Sequence, residues 1–279
     1  MWTVFRQSLE RGWGQVLGWG LSLGALAGYL VKFYDTIAEQ RASFELLLQS
    51  YPRELFAFFG DMETMFTPEG FLNVEFFSYM PLILGIHAVL AGSGLLAADE
   101  EAGVLDLVLA HPVSRWRMFL GRLGGFVVIV SSILAICWVG MLIGQRGSTL
   151  DYTWAVMLRP FISLASQLLF FGSLALLLSM VLPSRRSAGM VAGLALVGSF
   201  FLVALGRIDE RLADAARLSP MFYYQGGEAL SGLNVGWTVG LLALTVLMAG
   251  VAGWRFLRRD IRVAGEGSLG LLPRRLSKA

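Results

Sequence analysis

Lysine is almost absent from this sequence, and its scarcity excludes one source of energy. The chain has 279 residues and only two lysines, Lys32 followed by Phe and Lys278 followed by Ala. A nucleotide-binding P-loop needs a glycine-rich turn followed by Lys and then Ser or Thr, because that lysine reaches the terminal phosphates. Neither lysine has this setting, so we expect no ATPase of the P-loop class within this sequence.

Histidine and cysteine are equally scarce, which argues against metal and nucleophile chemistry. The sequence holds two histidines, His87 and His111, and one cysteine, Cys137. Without an H-E-x-x-H motif or a cysteine pair, we predict no metal site and no intramolecular disulfide. The acidic pair Glu100-Glu101 lacks the arginine that a di-Glu intramembrane protease needs, since Leu105 stands in its place. We therefore expect no catalytic residues, no bound cofactor and no enzymatic activity in this chain.

Charged residues are few as well. They make up only 15% of the sequence, whereas 56% is apolar, with a mean hydropathy of +0.66. A soluble domain carries about 25% charged residues. Apolar runs near the roughly 20 residues that cross a bilayer as a helix recur along the chain. We predict an all-α integral membrane protein with a single transmembrane domain over 1–279. Its six expected spans cover about residues 12–31, 76–98, 118–144, 155–182, 187–206 and 235–257.

The distribution of basic residues predicts the orientation of these spans. The two termini and the loops between spans two and three and between spans four and five hold 14 of the 22 Lys and Arg residues. Positive charge accumulates on the cytoplasmic side of membrane proteins. We therefore expect both termini in the cytoplasm, the chain in the plasma membrane, and residues 258–279 as a basic cytoplasmic tail.

The first apolar run leaves two interpretations open. Arg6 and Arg11 precede it and Ala25-Leu26-Ala27 resembles a cleavage site, as in a secretory signal peptide. The run is longer than the usual core of a signal peptide, which favours an uncleaved span. A stripe of glycines at four-residue spacing predicts that another helix approaches this run closely. The stripe consists of Gly20, Gly24 and Gly28.

Two long connections are predicted on the outer face. Residues 32–75 are expected to form amphipathic helices resting in the interface, with Thr67 as an N-cap and Pro68 in the first helical turn. Residues 207–234 carry a patch that is interpreted either as interfacial anchors or as a gate at an exit. The patch consists of Phe222, Tyr223, Tyr224, Gly226 and Gly227. His87, in the second span, is either hydrogen-bonded to a neighbouring helix or part of a translocation pathway.

The passage 99–122, DEEAGVLDLVLAHPVSRWRMFLGR, is the longest charged passage between two apolar runs. Its three leading acids favour a helix N-terminus, and we predict an amphipathic helix from about Glu100 to Ala110 that Pro112 stops. This helix either lies in the lipid interface or docks on a partner protein. The acidic start favours a protein partner, because anionic lipid would repel it.

Two motifs resemble those of a known family, the ABC-2 type transporter permeases. EEAGVLDLVLAHPVSRWRMFLGR is similar to the family's loop between spans two and three, with an acidic pair, a glycine and a Pro-x-Ser-Arg element. LLLSMVLPSRRSAGMVAGLAL is similar to its connection between spans four and five. The order of six spans, with a polar connection before the last, is similar too.

The resemblance implies that the 99–117 loop carries a cytoplasmic coupling helix that docks on a separate ATP-binding subunit. The residues that match the family's motif are Glu100, Glu101, Gly103, Pro112, Ser114 and Arg115. The predicted docking surface also includes Asp99, Leu105, Asp106 and Leu109. It further implies two permease subunits, identical or different, with two ATP-binding subunits that hold ATP and Mg²⁺. Short re-entrant helices are expected within 220–232.

The preferred hypothesis is therefore the membrane subunit of an ATP-driven exporter, with the lipid bilayer around it and no nucleic-acid partner. Apolar span interiors favour a hydrophobic or amphiphilic cargo, such as a drug, an antibiotic or a lipid-like molecule. An ion-coupled secondary transporter is the alternative, although such proteins place charges and broken helices within repeated halves. An intramembrane enzyme is a third hypothesis, which the missing nucleophile and metal motifs disfavour.

Overall fold

The computed structural model describes residues 1–39, 66–103 and 114–258, and all regular elements in these ranges are helical. The α-helices are α1 (Trp2–Glu39), α2 (Pro68–Leu72), α3 (Met80–Gly94), α4 (Ala97–Glu101), α5 (Arg115–Gln145), α6 (Trp154–Val181), α7 (Arg185–Ile208), α8 (Glu210–Arg217) and α9 (Val235–Arg258). A π-helix, Asn73–Phe77, joins α2 to α3, and two 3-10 helices, Pro220–Tyr223 and Gly226–Leu230, lie between α8 and α9. Six helical segments are long and apolar enough to cross a membrane, which confirms the predicted fold class.

The second span begins earlier than expected, at Pro68 instead of about residue 76. Thr67 caps it, since its side-chain oxygen accepts a hydrogen bond from the Gly70 amide at 3.2 Å, and Pro68 occupies the first helical turn as predicted. Within 68–75, Phe71 and Leu72 are buried in the helix bundle, and the interfacial position predicted for this connection stays a prediction. Residues 40–65 of that connection lie outside the described residues.

The first span is also longer than expected, a single helix packed along α5. Glycines of the predicted stripe meet glycines of α5, and a Cβ atom added to Gly28 would lie 2.7 Å from the carbonyl oxygen of Gly140. A Cβ atom added to Gly24 would lie 3.0 Å from the carbonyl oxygen of Ile136. Since only glycine fits at such distances, the close helix approach predicted from the stripe is confirmed.

The fourth span, α6, forms the centre of the bundle and packs against α3, α5, α7 and α9. Its side chains Met157, Leu164 and Gln167 have no exposed surface. A Cβ atom on Gly92 of α3 would overlap the carbonyl oxygen of Gly172, so the helices α3 and α6 also touch through glycine. The first span, α1, packs against α5 instead, and the five outer spans expose apolar side chains outward, as the lipid phase requires.

The helices give the bundle two different ends. One end, the N-terminal end, gathers the start of α1, the helix α4, the starts of α5 and α7 and the end of α9. The opposite end, the far end, gathers the start of the second span, the loop 146–153 and the segment 209–234. The predicted functional residues are divided between these two ends.

Candidate functional site

The predicted coupling helix starts differently in the structure. The helix α3 ends at Gly94, a turn at Leu95 and Leu96 follows, and α4 ends at Glu101. Gly103 then adopts φ 67°, a left-handed conformation that favours glycine and terminates helices. A continuous helix from Glu100 onward is therefore wrong, and the three acids lie in a short helix that extends the second span.

The rest of the predicted docking segment lies outside the described residues. This applies to Leu105, Asp106, Leu109 and Pro112. The chain resumes at Ser114, which caps α5 by accepting a hydrogen bond from the Arg117 amide at 3.4 Å. The segment 104–113 is thus bracketed by a helix end at Gly103 and a capped helix start at Ser114. Arg115 lies in the first turn of α5, directly after this capped start.

Asp99 faces into the bundle and pairs with two arginines from different spans. Its Oδ2 accepts a very short hydrogen bond from Nη2 of Arg122 on α5, and both side chains are buried. Its Oδ1 accepts a hydrogen bond from Nη1 of Arg11 on α1 at 3.0 Å. Arg122 also donates through Nη1 to the hydroxyl of Ser8 at 3.2 Å. These four side chains, Ser8, Arg11, Asp99 and Arg122, form what we call the inner cluster.

The two buried charges of the inner cluster, on Asp99 and Arg122, depend on each other. A buried ion pair contributes little net stability relative to an apolar pair, but removing one partner leaves a buried charge and costs about 3–5 kcal/mol. Arg122 is buried beside Asp99, so the carboxylate is what makes this position tolerable for the arginine. The cluster therefore fixes α4 relative to α1 and α5. Asp99 itself has little surface to offer to a partner protein.

The neighbouring acids have different surroundings. Glu100 is buried, whereas Glu101 is exposed and its Oε1 accepts a hydrogen bond from the backbone amide of Arg185 at 2.9 Å. Arg185 is the first residue of α7, where amide groups lack helical partners and a negative charge is stabilised. Glu101 thereby ties the end of the second span to the start of the fifth. Ser184 and Ser187 complete this helix start with a reciprocal capping box.

A cavity of about 200 Å³ lies beside the inner cluster, between α1, α3, α5 and α7. Its polar lining includes Arg11, Asp99, Arg122 and Arg185. Its apolar lining includes Leu90, Phe126 and Ile129. The N-terminal end thus combines paired charged side chains, a partly open cavity and both borders of the predicted docking segment.

At the far end, hydrogen bonds between neutral groups hold the connection 209–234. The side chain of Gln225 accepts from the Asn234 amide at 2.6 Å and donates to the Asn234 carbonyl oxygen at 3.2 Å. The Gln225 backbone amide donates to Ser163 of α6 at 3.0 Å. Since Gln225 is buried, these bonds satisfy groups that water cannot reach. They pin the connection 209–234 to α6 and α9.

The residues predicted as a gate belong to this far-end network. Tyr224 donates its hydroxyl hydrogen to the Phe77 carbonyl oxygen at 2.9 Å, and the Gly227 amide donates to Oδ1 of Asn73 at 2.9 Å. Gly226 has φ 50° and lies against the same Asn73 side chain, so a larger residue would be strained there. Phe222 and Tyr223 pack against Trp237 of α9 with ring centroids at 5.9 and 5.6 Å. The short helices between α8 and α9 are thus packed into the bundle.

The loop 146–153 at the far end is tied to the first and second spans. Asp35 of α1 accepts hydrogen bonds from the Ser148 hydroxyl at 3.0 Å and from the Thr149 amide at 2.9 Å. Tyr152 donates its hydroxyl hydrogen to Oε1 of Glu69 at 2.6 Å. Burial, together with this carboxylate, raises the pKa of Tyr152 well above its usual range, so its hydroxyl stays a donor.

His87 lies in the second span, half-buried against the first. Its ring centroid is 6.0 Å from that of Trp19 at an interplanar angle of 49°. Its Nε2 has no hydrogen-bond partner among the described residues, so the structure shows an aromatic contact where a bond to a neighbouring helix was one expectation. A pathway role for His87 stays a prediction.

Several residues of these sites were missed in the sequence. Arg11 and Arg122 were counted among the basic residues that indicate orientation, whereas both bind Asp99. Gln225 and Asn73 were not singled out, although a polar residue within an apolar stretch is a recognisable signal. Gln167 carries this signal too, since it is fully buried in α6 and donates to the sulfur of Met221 at 3.5 Å.

The side chains described at the two ends link helices to one another through ion pairs and hydrogen bonds. Among the residues that the structure describes, no three His, Cys, Asp or Glu side chains gather to hold a metal ion. The carboxylate of Asp99 is occupied by two arginines and that of Glu101 by a helix amide, which suits these two acids to link helices.

Comparison with known proteins gives two findings. The family model described as ABC-2 family transporter protein matches residues 2–261. Over 143 residues the chain is 30% identical to the Multidrug export protein MepA of Staphylococcus saprophyticus, and the match covers 46% of this chain and 32% of that protein. The chain therefore spans about one third of the length of that relative. The first match covers nearly the whole sequence, whereas the second covers only part of either protein.

Proposed function

The chain belongs to the ABC-2 transporter family, as the motifs around 99–122 and 176–196 predicted, and from this premise we propose that it is the permease subunit of an ATP-driven exporter. It is a multi-pass membrane protein. ATP and Mg²⁺ would be held by a separate ATP-binding subunit, since neither lysine of this sequence stands in a P-loop. Two such subunits and two permeases, identical or different, would form the transporter.

The observation that carries the proposal is the way the borders of segment 104–113 are tied to the spans. On one side Asp99 binds α1 and α5, and Glu101 binds the start of α7. On the other side Ser114 begins α5 directly. A displacement of this segment by an ATP-binding subunit would therefore reach three spans at once. Movement of packed helices between two arrangements is the usual form of such a transition.

The proposed docking surface is refined by burial. Among its described members, Glu101, Ser114 and Arg115 lie at or near the surface, whereas Asp99 and Glu100 are buried. We assign direct docking to the exposed residues, together with Gly103 and the predicted contacts Leu105, Asp106, Leu109 and Pro112. Asp99 acts as a positioning residue that transmits the movement.

The N-terminal end is proposed to face the cytoplasm. Its loops and the two chain termini carry most of the Lys and Arg residues, as the cytoplasmic side of membrane proteins does. Because the ATP-binding subunit works in the cytoplasm, this orientation also places segment 104–113 on the side where ATP is hydrolysed. The plasma membrane is the corresponding location.

The far end would then be the outer exit. The connection 209–234 closes it with buried neutral hydrogen bonds, and Tyr224 and Gly227 tie that connection to the second span. Opening would require these contacts to separate, which makes the aromatic patch a gate in this proposal. A hydrophobic or amphiphilic cargo fits the apolar span interiors, and the partial similarity to a multidrug export protein agrees with that class.

Co-purification tests the partnership. The full chain, purified in detergent from the cells that naturally express it, should retain a P-loop ATPase. Replacing the exposed acid and a predicted apolar contact together, Glu101→Ala with Leu105→Ala, should release it. A matched control, Glu10→Ala with Leu17→Ala, removes an exposed acid and an exposed leucine from α1 and should keep it. Equal retention in both double variants would contradict the proposed docking site.

A further inference from the structure

Three arginines converge on the cavity beside the inner cluster. Arg11 comes from α1, Arg122 from α5 and Arg185 from α7, and all three line the same space of about 200 Å³. The Arg185 guanidinium lies against Gly94, where an added Cβ atom would be 3.0 Å from its Cζ. A larger side chain at this position would have to displace the guanidinium by a few tenths of an ångström, so Gly94 lets Arg185 lie close to the second span.

Positive charge is in excess among the described residues that line the cavity. Asp99 is the one acidic residue among them, and its two oxygens are already used by Arg11 and Arg122. Arg122 is buried, and its Nε has no hydrogen-bond partner among the described residues. Glu101 is engaged by the Arg185 amide and does not line the cavity. Because three arginines face one carboxylate there, a bound anion would be attracted to this cavity and could accept a hydrogen bond from Nε of Arg122.

The apolar residues that line the rest of the cavity favour an anion that also carries an apolar chain. Leu90, Phe126 and Ile129 line the cavity next to the arginines. Leu90 is 54% exposed on the outside of the bundle, so the apolar side of the cavity continues toward the lipid phase. A ligand that places a phosphate among the guanidinium groups can therefore run an acyl chain along these apolar side chains. Guanidinium groups suit phosphate because their planar donors match its oxygens.

We propose that this cavity binds the phosphodiester headgroup of an anionic phospholipid from the surrounding bilayer. Basic pockets between transmembrane helices are suited to such headgroups. The lipid would bridge α1, α5 and α7 at the place where Asp99 already joins them. The proposed occupancy of this site does not depend on an ATP-binding subunit or on transport.

Native mass spectrometry of the full chain in detergent tests this proposal. The delipidated protein is titrated with phosphatidylglycerol and, in parallel, with phosphatidylcholine of the same acyl chains. Phosphatidylglycerol should bind more tightly. Arg11→Gln and Arg185→Gln should each weaken it about fivefold, because one basic residue contributes about that factor to the binding of an anionic lipid. Both arginines have exposed side chains, so their replacement should leave the bundle folded.

The chain offers matched controls for both substitutions. Arg6→Gln removes a charge on α1 about one and a half turns from Arg11, and Arg186→Gln removes the charge next to Arg185 on α7. Neither residue lines the cavity. Both variants should bind phosphatidylglycerol like the unaltered chain. Equal binding of the two lipids, or equal weakening in all four variants, would overturn the proposal. Displacement of phosphatidylglycerol by millimolar inorganic phosphate or glycerol phosphate would also overturn it, because the site would then serve a soluble phosphate.

Discussion

The two ends of the bundle are held by different chemistry. At the N-terminal end, a buried carboxylate pairs with arginines from two spans beside a cavity of about 200 Å³. At the far end, the neutral side chain of Gln225 bonds to backbone groups, and the carboxylates of Asp35 and Glu69 accept from hydroxyl and amide groups instead of pairing with arginines. A cavity of about 60 Å³ lies there. Ion pairs act over longer distances and depend on their counter-charges, whereas neutral hydrogen bonds are short and directional.

The difference suits the two ends to different tasks. Hydrogen bonds between Gln225 and Asn234 are lost as soon as the partners separate, so the far end favours one closed arrangement. The ion pairs of Asp99 tolerate small shifts of α1 and α5, so the N-terminal end can pass on a movement without losing its connection. We therefore assign the input of energy to the N-terminal end and the closure of the exit to the far end.

The largest effect is expected for Asp99→Ala. This change leaves Arg122 buried without its counter-charge and should cost about 3–5 kcal/mol of stability. The Tm of the purified chain, measured by scanning fluorimetry in detergent, should fall by roughly 10 °C. The double variant Asp99→Ala, Arg122→Met removes both charges and should recover most of that loss. If the double variant is as unstable as the single one, the ion pair is not what holds this end.

A smaller effect is expected at the far end from Gln225→Leu. The leucine leaves the Asn234 amide and carbonyl groups without their partners, and each buried unpaired group costs about 1–3 kcal/mol. The Tm should fall by about half as much as in Asp99→Ala, and cargo should leak through proteoliposomes without ATP because the exit is loosened. A variant that stays tight to cargo would separate the Gln225 network from closure of the exit.

Glu101→Gln should affect coupling more than stability. The amide side chain still accepts a hydrogen bond from the Arg185 amide, but the charge at the start of α7 is lost, which weakens the contact by about 0.3–1 kcal/mol. We expect the amount of cargo exported per ATP hydrolysed to fall about twofold to fivefold, with the Tm nearly unchanged. Glu10→Gln, at an exposed acid of α1, is the control and should keep the normal ratio.

The smallest effects are expected for exposed ion pairs at either end. Arg6 pairs with Glu10 at 2.8 Å near the N-terminal end, and Arg217 pairs with Asp214 at 3.3 Å near the far end. Because exposed pairs contribute little, Arg6→Ala and Arg217→Ala should each shift the Tm by less than about 2 °C. A large shift in Tm from either change would contradict the view that an ion pair here must be buried to affect stability strongly.

Local patterns were sufficient to predict much of the fold. The six apolar runs correspond to the six candidate spans. Thr67-Pro68 begins a helix and the glycines of α1 contact α5, as their positions indicated. These features depend on neighbouring residues or on the length of a bilayer crossing, and both can be read from a single sequence.

The partners of Asp99 and Glu101 could not be predicted in this way. Asp99 meets Arg11 across 88 residues of chain, and Glu101 meets Arg185 across 84. No periodicity links residues so far apart, and only the packing of the spans decides which charges meet. The predicted start of the coupling helix failed for a local reason, since the left-handed conformation of Gly103 ends α4 within an otherwise helical pattern.

Reconstitution tests the central claim most directly. The purified chain is placed in liposomes loaded with an amphiphilic fluorescent dye, alone or with its ATP-binding subunit, and dye movement is followed after addition of Mg²⁺ and ATP. We predict transport with both subunits and ATP, and none with the chain alone under a proton or sodium gradient. Gradient-driven transport by the chain alone would contradict the account and support an ion-coupled transporter.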